Sequence, residues 1–479
     1  MKTPFIHLMK TPMSNYAYDV NTNSFIKLSD KTYKYLEALI SGDTDYENNS
    51  EEVMISIENL KSQGYLSSNR PKKIEHSQSQ LMEYHLDKNI GHMTLQLTQE
   101  CNFRCSYCTY GEKCSDSQRS HSPLKMSLNT ALKAIDFFVS HSIDRNDVSI
   151  GFYGGEPLLK FDMIKTLINY AEKEFFGKSL TFNITTNGSL LTPEVARYLS
   201  KHNVNVTISL DGPPEVHDRS RVFANTGEGT YLSIKKNLDD ISSELPEWFS
   251  RIAFNIVVDP RHPCNDLYVF FNEDETFKNS QTYSTFIDDF FSKEMIMQTE
   301  EFFRDHEYHR FKAYLTLINR YPLAKISKIV YKMVMDSYTR GYMSMKATTS
   351  LSEIMAPGGP CIPAARRLFV NANGTLYPCE RVSETSDTMK IGNLNDGLNV
   401  EKARMQLNIG ALTPKECKNC WALRHCQICV KTCDSNGKLS AKQKLNQCDG
   451  VKSSVEKNFK DYLLTEDFGF TLEELRKKG

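Results

Sequence analysis

Three cysteines stand close together at Cys101, Cys105 and Cys108. The residues before them, 92–98, alternate between apolar and polar side chains and predict a strand that delivers a cysteine loop. A cubane 4Fe-4S cluster normally takes four cysteines, so three ligands on a tight loop leave one iron open to an outside molecule. The spacing therefore indicates an iron-sulfur cluster with a vacancy. A zinc loop is the alternative, although structural zinc prefers paired C-x2-C knuckles.

A second group of cysteines lies towards the C-terminus. Its eight members are Cys361, Cys379, Cys417, Cys420, Cys426, Cys429, Cys433 and Cys448. Eight thiolates suffice for two further 4Fe-4S clusters. Zinc is again the main alternative, because the C-x2-C pair at 417–420 is a respectable zinc knuckle.

Composition limits the classes of partner. The chain has 479 residues, 24% charged residues and a formal net charge of -1, so bulk charge draws it to neither nucleic acid nor membrane. It contains no stretch of about 18 apolar residues, and its N-terminus lacks the apolar run of a signal peptide. A cytoplasmic protein is expected. Its thirteen cysteines, mostly clustered, then point to metal ligation more than to disulfides.

The elements that must position the first loop form an alternating series. Strand-like runs at 148–153, 180–185, 204–210 and 252–258 alternate with helical patterns at 128–140, 162–175 and 193–201. This rhythm predicts an α/β fold of parallel strands joined by helices. Ligands of such sheets bind at the C-terminal ends of the strands.

Polar or flexible residues stand at those predicted strand ends. They are Gly154, Gly155, Glu156, Asn187, Ser209 and Asp211. The two glycines would let the backbone approach a ligand closely. Each group is also compatible with an ordinary turn.

The run 101–108, CNFRCSYC, resembles the signature loop of radical SAM enzymes. The resemblance implies a partial (β/α)6 TIM-like barrel, S-adenosylmethionine (SAM) bound to the open iron, and a deoxyadenosyl radical. It places Gly154, Gly155 and Glu156 at the SAM amino group, and Asn187, Ser209 and Asp211 at its ribose and methionine portions. It also implies that Tyr107 lies near adenine and that Arg221 is the partner of the SAM carboxylate, for which a guanidinium fork is well suited.

The second cysteine group resembles the SPASM domain, an extension of these enzymes with two auxiliary clusters. By this resemblance Cys417, Cys420, Cys426 and Cys448 hold the outer cluster, and Cys361 and Cys379 the inner one. The usual C-x5-C-x3-C run is altered here, so that both Cys429 and Cys433 are available to the inner cluster. If both bind, that cluster is closed; if one binds, an open iron could take a substrate thiolate.

The N-terminal residues predict a hairpin followed by helices at 32–40 and 51–63. This pattern resembles the winged-helix-like element by which enzymes that modify ribosomal peptides capture a leader peptide as an added strand. An ordinary packing domain is the alternative. The whole chain then divides into a leader-binding domain (1–85), a radical SAM core (86–264), a helical bridge (265–355), a SPASM domain (356–453) and a helical tail (454–479).

These resemblances predict a maturase that installs thioether crosslinks in a ribosomal precursor peptide, as sactipeptide and ranthipeptide maturases do. An external electron donor such as flavodoxin or ferredoxin is implied. Carbon-carbon crosslinking is one alternative. Another is formylglycine formation as in anaerobic sulfatase maturases, for which Glu380, directly after Cys379, would be the catalytic base. A third is an iron-sulfur regulator that binds DNA, which the neutral charge disfavours.

Overall fold

The computed structural model of the chain describes residues 3–43, 50–115 and 117–470. An antiparallel sheet and two helices form the N-terminal unit: β1 (Ile6–Lys10), β2 (Asn15–Asp19), β3 (Ser24–Leu28), α1 (Asp30–Ser41) and α2 (Glu51–Ser62). Ser29 caps α1, because its side chain accepts a hydrogen bond from the backbone N–H of Thr32. The predicted hairpin and both predicted helices are confirmed.

Two short elements lead to the central unit, β4 (Lys73–Ile74) and α3 (Met82–Lys88). Met82 and Leu86 of α3 are fully buried in the hydrophobic core of the central sheet. The boundary suggested between residues 85 and 86 therefore falls inside a helix that belongs to the central core.

Strands and helices alternate in the central unit, and the predicted parallel α/β arrangement is confirmed. The strands are β5 (His92–Thr98), β6 (Asp147–Gly154), β7 (Ser179–Thr186), β8 (Asn205–Ser209) and β9 (Ala253–Val258). The helices are α4 (Leu128–His141), α5 (Phe161–Glu174), α6 (Pro193–Lys201), α7 (Pro214–Ser220), α8 (Tyr231–Glu244) and α9 (Pro246–Phe249). Neighbouring strands pair in parallel from β5 to β9.

The segment 265–355 is not only helical, and in this respect the predicted bridge is wrong. It contains α10 (Asn265–Glu273), β10 (Gln281–Phe286), α11 (Glu300–Leu317), α12 (Lys328–Ser344) and β11 (Ile354–Met355). Strand β10 pairs in parallel with β9 and is the sixth parallel strand in succession. It lies at the sheet edge with mostly exposed side chains, so it lacks the apolar run that marks a buried parallel strand.

The C-terminal part adds short strands and helices. These are β12 (Leu368–Val370), β13 (Thr375–Tyr377), β14 (Gly392–Asn393), β15 (Gly397–Leu398), α13 (Val400–Leu407), α14 (Pro414–Lys418), β16 (Asp434–Ser435), β17 (Lys438–Leu439), α15 (Ala441–Leu445) and α16 (Cys448–Asp467). Strand β12 pairs in parallel with β5, which extends the sheet to ten strands in the order β10-β9-β8-β7-β6-β5-β12-β13-β14-β15. The predicted tail from residue 454 continues α16, and residues 471–479 lie outside the described ranges. Across those ranges we find no helix with the length and apolar character that a membrane crossing requires.

The two faces of strand β5 differ. Met93, Leu95 and Leu97 are fully buried in the core that the helices cover. The alternate residues His92, Thr94 and Gln96 occupy the opposite face, because successive side chains of a strand point to opposite sides. A Cβ at Gly151 of the neighbouring strand would lie 3.3 Å from both His92 Nε2 and Thr94 Oγ1. We call the surface formed by His92, Thr94 and Gln96 the polar face.

The N-terminal sheet is covered on both sides. One side packs on α1 and α2, and the other packs Met9, Tyr16 and Tyr18 against Phe459 of α16. The ring of His7 stacks on Trp421 with centroids 3.7 Å apart. The N-terminal unit is thereby fixed to the region of the second cysteine group.

A close backbone contact holds the start of the C-terminal part. A Cβ at Gly358 would lie 2.1 Å from the carbonyl oxygen of Arg424. We expect Gly358→Ala to lower the free energy of unfolding by about 1–3 kcal/mol, because the chain must move apart to admit a methyl group. Gly341→Ala, in α12 where a Cβ meets nothing within 4 Å, should raise it by up to about 1 kcal/mol. Denaturant unfolding measures both, and equal shifts in the two variants would contradict the contact.

Candidate functional site

The first cysteine loop leaves β5 in close contact with the end of β6. Gly155 donates a backbone hydrogen bond to Thr98 O (2.8 Å), and Glu156 donates one to Glu100 O (2.9 Å). A Cβ on Gly155 would lie 2.0 Å from Glu100 O, and one on Gly154, whose φ is +143°, would lie 2.1 Å from Thr98 O. The glycines are therefore required by the approach of the cysteine loop itself, whereas the sequence suggested the approach of a ligand.

A second segment, residues 220–224, supports the loop from the other side. Three backbone hydrogen bonds join them, from Arg104 N to Val222 O (2.9 Å), from Ser106 N to Ser220 O (2.9 Å) and from Ala224 N to Asn102 O (2.8 Å). The rings of Phe103 and Phe223 pack edge to face with centroids 5.2 Å apart. The spacing of the three cysteines is thus held by a strand-like pairing.

Each thiol of the loop has a nitrogen atom nearby. Cys101 Sγ accepts from the backbone of Phe103 (3.4 Å), Cys105 Sγ from Arg221 Nη1 (3.7 Å), and Cys108 Sγ lies 3.8 Å from His121 Nε2. Burial raises the pKa of Cys101 to about 12 and that of Cys108 to about 11, so a bound cation is needed to hold them as thiolates. Three free thiols, two of them with donors directed at sulfur, fit the ligand set of a cluster.

Arg221 is fixed by a buried carboxylate. Its Nε donates to Asp211 Oδ2 at 2.8 Å, and both side chains are buried. Tyr107 also donates its hydroxyl hydrogen to Asp211, and Val257 N donates to the other carboxylate oxygen at 3.0 Å. Burial raises the pKa of Tyr107, which keeps the phenol protonated as a donor. Asp211 thus orients Arg221 and Tyr107 beside the loop, and its expected contact with SAM stays a prediction.

Glu156 is occupied inside the protein. Its carboxylate accepts hydrogen bonds from Leu158 N (2.9 Å), Thr186 Oγ1 (2.7 Å) and Asn187 N (2.8 Å). Burial raises the pKa of Glu156 to about 7, against the effect of these donors. The side chain joins the ends of β6 and β7, so any contact with a cofactor amino group would fall to the neighbouring backbone.

Asn187 connects the strand ends to the cysteine loop. Its Nδ2 donates to Asn102 Oδ1 at 2.8 Å, and Asn102 Nδ2 donates to Ser189 Oγ at 2.9 Å. Ser209 ends β8, opposite Asn255 of β9, with a half-buried side chain. The structure therefore brings Tyr107, Gly154, Gly155, Glu156, Asn187, Asp211 and Arg221 into one network around Cys101, Cys105 and Cys108.

A buried polar network links this loop to the chain after Cys379. Glu384 Oε1 accepts from Gln96 Nε2 (2.7 Å), on the polar face, and from Arg119 Nε (2.5 Å). The guanidinium of Arg119 lies 3.6 Å above the ring of Tyr110, whose hydroxyl donates to Glu380 O (3.4 Å). The loop that contains Glu380 and Glu384 is thus joined to the region of the first cysteines.

Glu380 itself forms an ion pair with Arg367. Its other carboxylate oxygen, Oε2, is buried and has no hydrogen-bond partner among the described residues. Arg119 Nη2 and Glu384 Oε2 are likewise buried without a hydrogen-bond partner among the described residues. Unsatisfied buried polar atoms are rare in folded proteins and mark places where water or a ligand completes the bonding.

The second cysteine group divides into two sets by proximity. Burial raises the pKa of Cys379 to about 12, and neighbouring Cys429 adds to this; burial and then Cys361 likewise raise the pKa of Cys429. In the other set, burial raises the pKa of Cys420 to about 11, and the neighbouring thiols of Cys426 and Cys417 also raise it. Burial raises the pKa of Cys448, and neighbouring Cys417 adds to this.

Cys433 lies between the two sets. Its thiol is fully buried, donates to Cys429 O at 3.5 Å, and packs with Cys426 and Cys448. The structure thus brings Cys361, Cys379 and Cys429 together, and separately Cys417, Cys420, Cys426 and Cys448. Cys433 neighbours Cys429 of the first set as well as Cys426 and Cys448 of the second.

Sequence reasoning missed four side chains of these networks, which are Asn102, Arg119, His121 and Glu384. Only Asn102 carried a signal, because it stands between two cysteines of the loop. Within the ranges that the structure covers, no three His, Cys, Asp or Glu side chains converge closely enough to hold one metal ion.

Comparisons with known proteins agree with this site. Residues 95–262 match the family model described as Radical SAM superfamily. The chain is 28% identical over 246 residues to the radical SAM cyclopropyl synthase TigE of Paramaledivibacter caminithermalis, a match that covers 49% of this chain and spans about half (49%) of that protein. It is 24% identical over 399 residues to the cysteine-type anaerobic sulfatase-maturating enzyme of Clostridium novyi, covering 78% of this chain and 96% of that one.

The fold has a counterpart among solved structures. Native anSMEcpe with bound AdoMet and Kp18Cys peptide superposes with a TM-score of 0.53 and 19% identity, over 77% of this chain and 99% of that chain. At this level of identity the likeness concerns the fold. The match to the radical SAM superfamily covers residues 95–262, and the three-cysteine loop lies within it.

Proposed function

We propose that this protein is a peptide maturase that forms a thioether between a cysteine sulfur and a carbon atom of a ribosomal precursor peptide. The observation that carries the proposal is the set Cys361, Cys379 and Cys429, joined to the first cysteine loop through Tyr110, Glu380 and the Arg119–Glu384 pair. If Cys433 does not join this set, three cysteines leave one position of a 4Fe-4S cluster for a further ligand. A substrate thiolate has the chemistry to fill that position.

The residues of the first loop would hold the other cofactors. A 4Fe-4S cluster on Cys101, Cys105 and Cys108, together with SAM, supplies a 5'-deoxyadenosyl radical when bound. Arg221, held by Asp211, presents its remaining donor beside Cys105 and is positioned to bind a carboxylate. The buried network around it excludes water from the place where a reactive radical must be protected.

The overall reaction balances as an oxidation. The peptide would lose a hydrogen atom from carbon to the deoxyadenosyl radical, and its thiol would lose a proton. One C–S bond would form, and the remaining electron would pass to an oxidised auxiliary 4Fe-4S cluster. The orphaned Glu380 Oε2 is a candidate to take the thiol proton.

Formylglycine formation is the second candidate, and two observations favour it. The match to a sulfatase-maturating enzyme covers 78% of this chain, and Glu380 follows Cys379 with one carboxylate oxygen unpartnered. The two candidate reactions give peptide products of different mass, so mass spectrometry distinguishes them.

The N-terminal unit is proposed to bind the leader of the precursor. Because helices cover both faces of its sheet, the outer edges of β1 and β3 are the places where a peptide strand could add. Strand addition requires extended backbone alone, so it suits leaders of varied sequence. The predicted domain limits and the auxiliary clusters belong to the same proposal.

The first test concerns the cluster ligands. We expect the combined change of Cys101, Cys105 and Cys108 to alanine to abolish reductive cleavage of SAM, because nothing nearby replaces the lost ligands. The anaerobically reconstituted parent should contain about twelve irons and the variant about eight. Deoxyadenosine formation with dithionite and iron analysis measure this. Undiminished deoxyadenosine from the variant would refute the assignment.

Arg221 offers a second test. We expect Arg221→Lys to reduce deoxyadenosine formation about tenfold or more, since lysine cannot donate to Asp211 and reach a carboxylate at once, and a charge-assisted hydrogen bond contributes about 1.5–3 kcal/mol. Arg219→Lys, exposed on α7, is the matched control and should behave as the parent. Similar rates in both variants would remove Arg221 from the cofactor site.

The product provides the third test. We expect a cysteine-containing precursor encoded beside this gene to lose two hydrogen atoms per modification and to resist alkylation by iodoacetamide after disulfide reduction. Formylglycine would instead replace sulfur by oxygen. A loss of two hydrogens with every cysteine still alkylated would indicate carbon-carbon crosslinking, and the thioether proposal would fail. Mass spectrometry of the treated peptide separates these outcomes.

A further inference from the structure

Lys444 is a fully buried lysine beside the second set of cysteines, with 1% of its surface exposed. It belongs to the short helix α15, which Ser440 caps. Its Nζ donates to Cys417 Sγ at 3.0 Å and to the hydroxyl of Thr413. Among the residues that the structure describes, no carboxylate forms an ion pair with this ammonium.

A second buried lysine of this region, Lys431, has a carboxylate beside its ammonium group. Lys431 is 9% exposed, and its ammonium pairs with the carboxylate of Asp288. A charge taken out of water is costly by several kcal/mol unless an opposite charge accompanies it. The ammonium of Lys444 lies beside cysteine sulfur, whereas that of Lys431 lies beside a carboxylate. An opposite charge for Lys444 must therefore come from thiolates.

The sulfur atoms around Lys444 belong to several cysteines. Its charge acts on Cys426, Cys433 and Cys448 as well as on the directly bonded Cys417. Three of these four cysteines, Cys417, Cys426 and Cys448, belong to the second set. Thiolates that bind iron share their negative charge with the metal, and one buried cation offsets part of the charge that a cluster on that set would keep.

We propose that Lys444 is a positioning residue that supplies the counter-charge for a 4Fe-4S cluster on Cys417, Cys420, Cys426 and Cys448. Its hydrogen bond holds Cys417 in place, and its charge raises the reduction potential of the cluster. The potential rises because the added electron is stabilised by the nearby cation. This inference rests on the proposed auxiliary clusters and extends them to a residue outside the cysteine pattern.

The test uses full-length protein, anaerobically reconstituted with iron and sulfide. Lys444→Met removes the charge at similar length, Lys444→Arg keeps it, and Lys442→Met changes an exposed lysine of the same helix as the control. Iron content and EPR-monitored redox titration are measured for each. We expect Lys444→Met to lower the midpoint of one auxiliary signal by at least a tenfold change in the redox equilibrium, about 59 mV for one electron. The control and Lys444→Arg should stay near the parent.

The other possible outcomes also distinguish an electrostatic role of Lys444 from a packing role. Loss of one cluster's iron in Lys444→Met with retention in Lys444→Arg supports the counter-charge. Loss in both would show that Lys444 is needed for packing, and full iron with unchanged midpoints in Lys444→Met would show that it has no electrostatic role. Either result overturns the inference. A parent protein with only about four irons would instead overturn the auxiliary clusters of the proposed function.

Discussion

The distance between the backbones of Glu100 and Gly155 is the constraint on which the candidate site depends. No side chain fits between them, because a Cβ on Gly155 would lie 2.0 Å from the carbonyl oxygen of Glu100. This contact fixes where the cysteine loop leaves the sheet. The loop can then pair with residues 220–224, and that pairing brings Arg221 to Cys105. A displacement at the first contact would therefore alter the surroundings of all three sulfur atoms.

Buried arginine and lysine side chains among the described residues lie beside a carboxylate or beside sulfur. Arg221 pairs with Asp211, Arg119 with Glu384 and Lys431 with Asp288. These pairs contribute orientation more than stability, since a buried pair roughly balances its own desolvation. Lys444 would lack an opposite charge only if the cysteine sulfurs beside it were uncharged. The same physical requirement thus links the radical SAM core and the second cysteine group.

Local patterns predicted most of the core. Alternating or apolar runs located β5 to β9, and Ser29 marked the start of α1, because burial and capping leave direct traces in sequence. Strand β10 left no such trace, since it lies at an exposed edge. Cysteine spacing identified the ligand candidates. It could not separate Cys429 from Cys433, because that depends on how the chain turns between them.

Contacts between distant segments account for what the sequence did not show. Glu384 meets Arg119 across 265 positions, and Lys444 reaches Cys417 across 27. No periodicity signals such pairs. The hydrogen bonds that Asp211 and Glu156 accept from protein donors were likewise not visible in the sequence. The comparisons support formylglycine chemistry about as well as thioether chemistry, which leaves the product to experiment.

The two-sided character of β5 bears on how this sheet could be redesigned. Met93, Leu95 and Leu97 belong to the helix-covered core, whereas His92 and Thr94 lie on the polar face with Gly151 between their side chains. Combinatorial libraries restricted to His92 and Thr94 would vary the polarity of that face and leave unchanged the side chains that pack against the helices. Directed evolution can therefore alter one face of the strand while selection for a stable fold acts on the other.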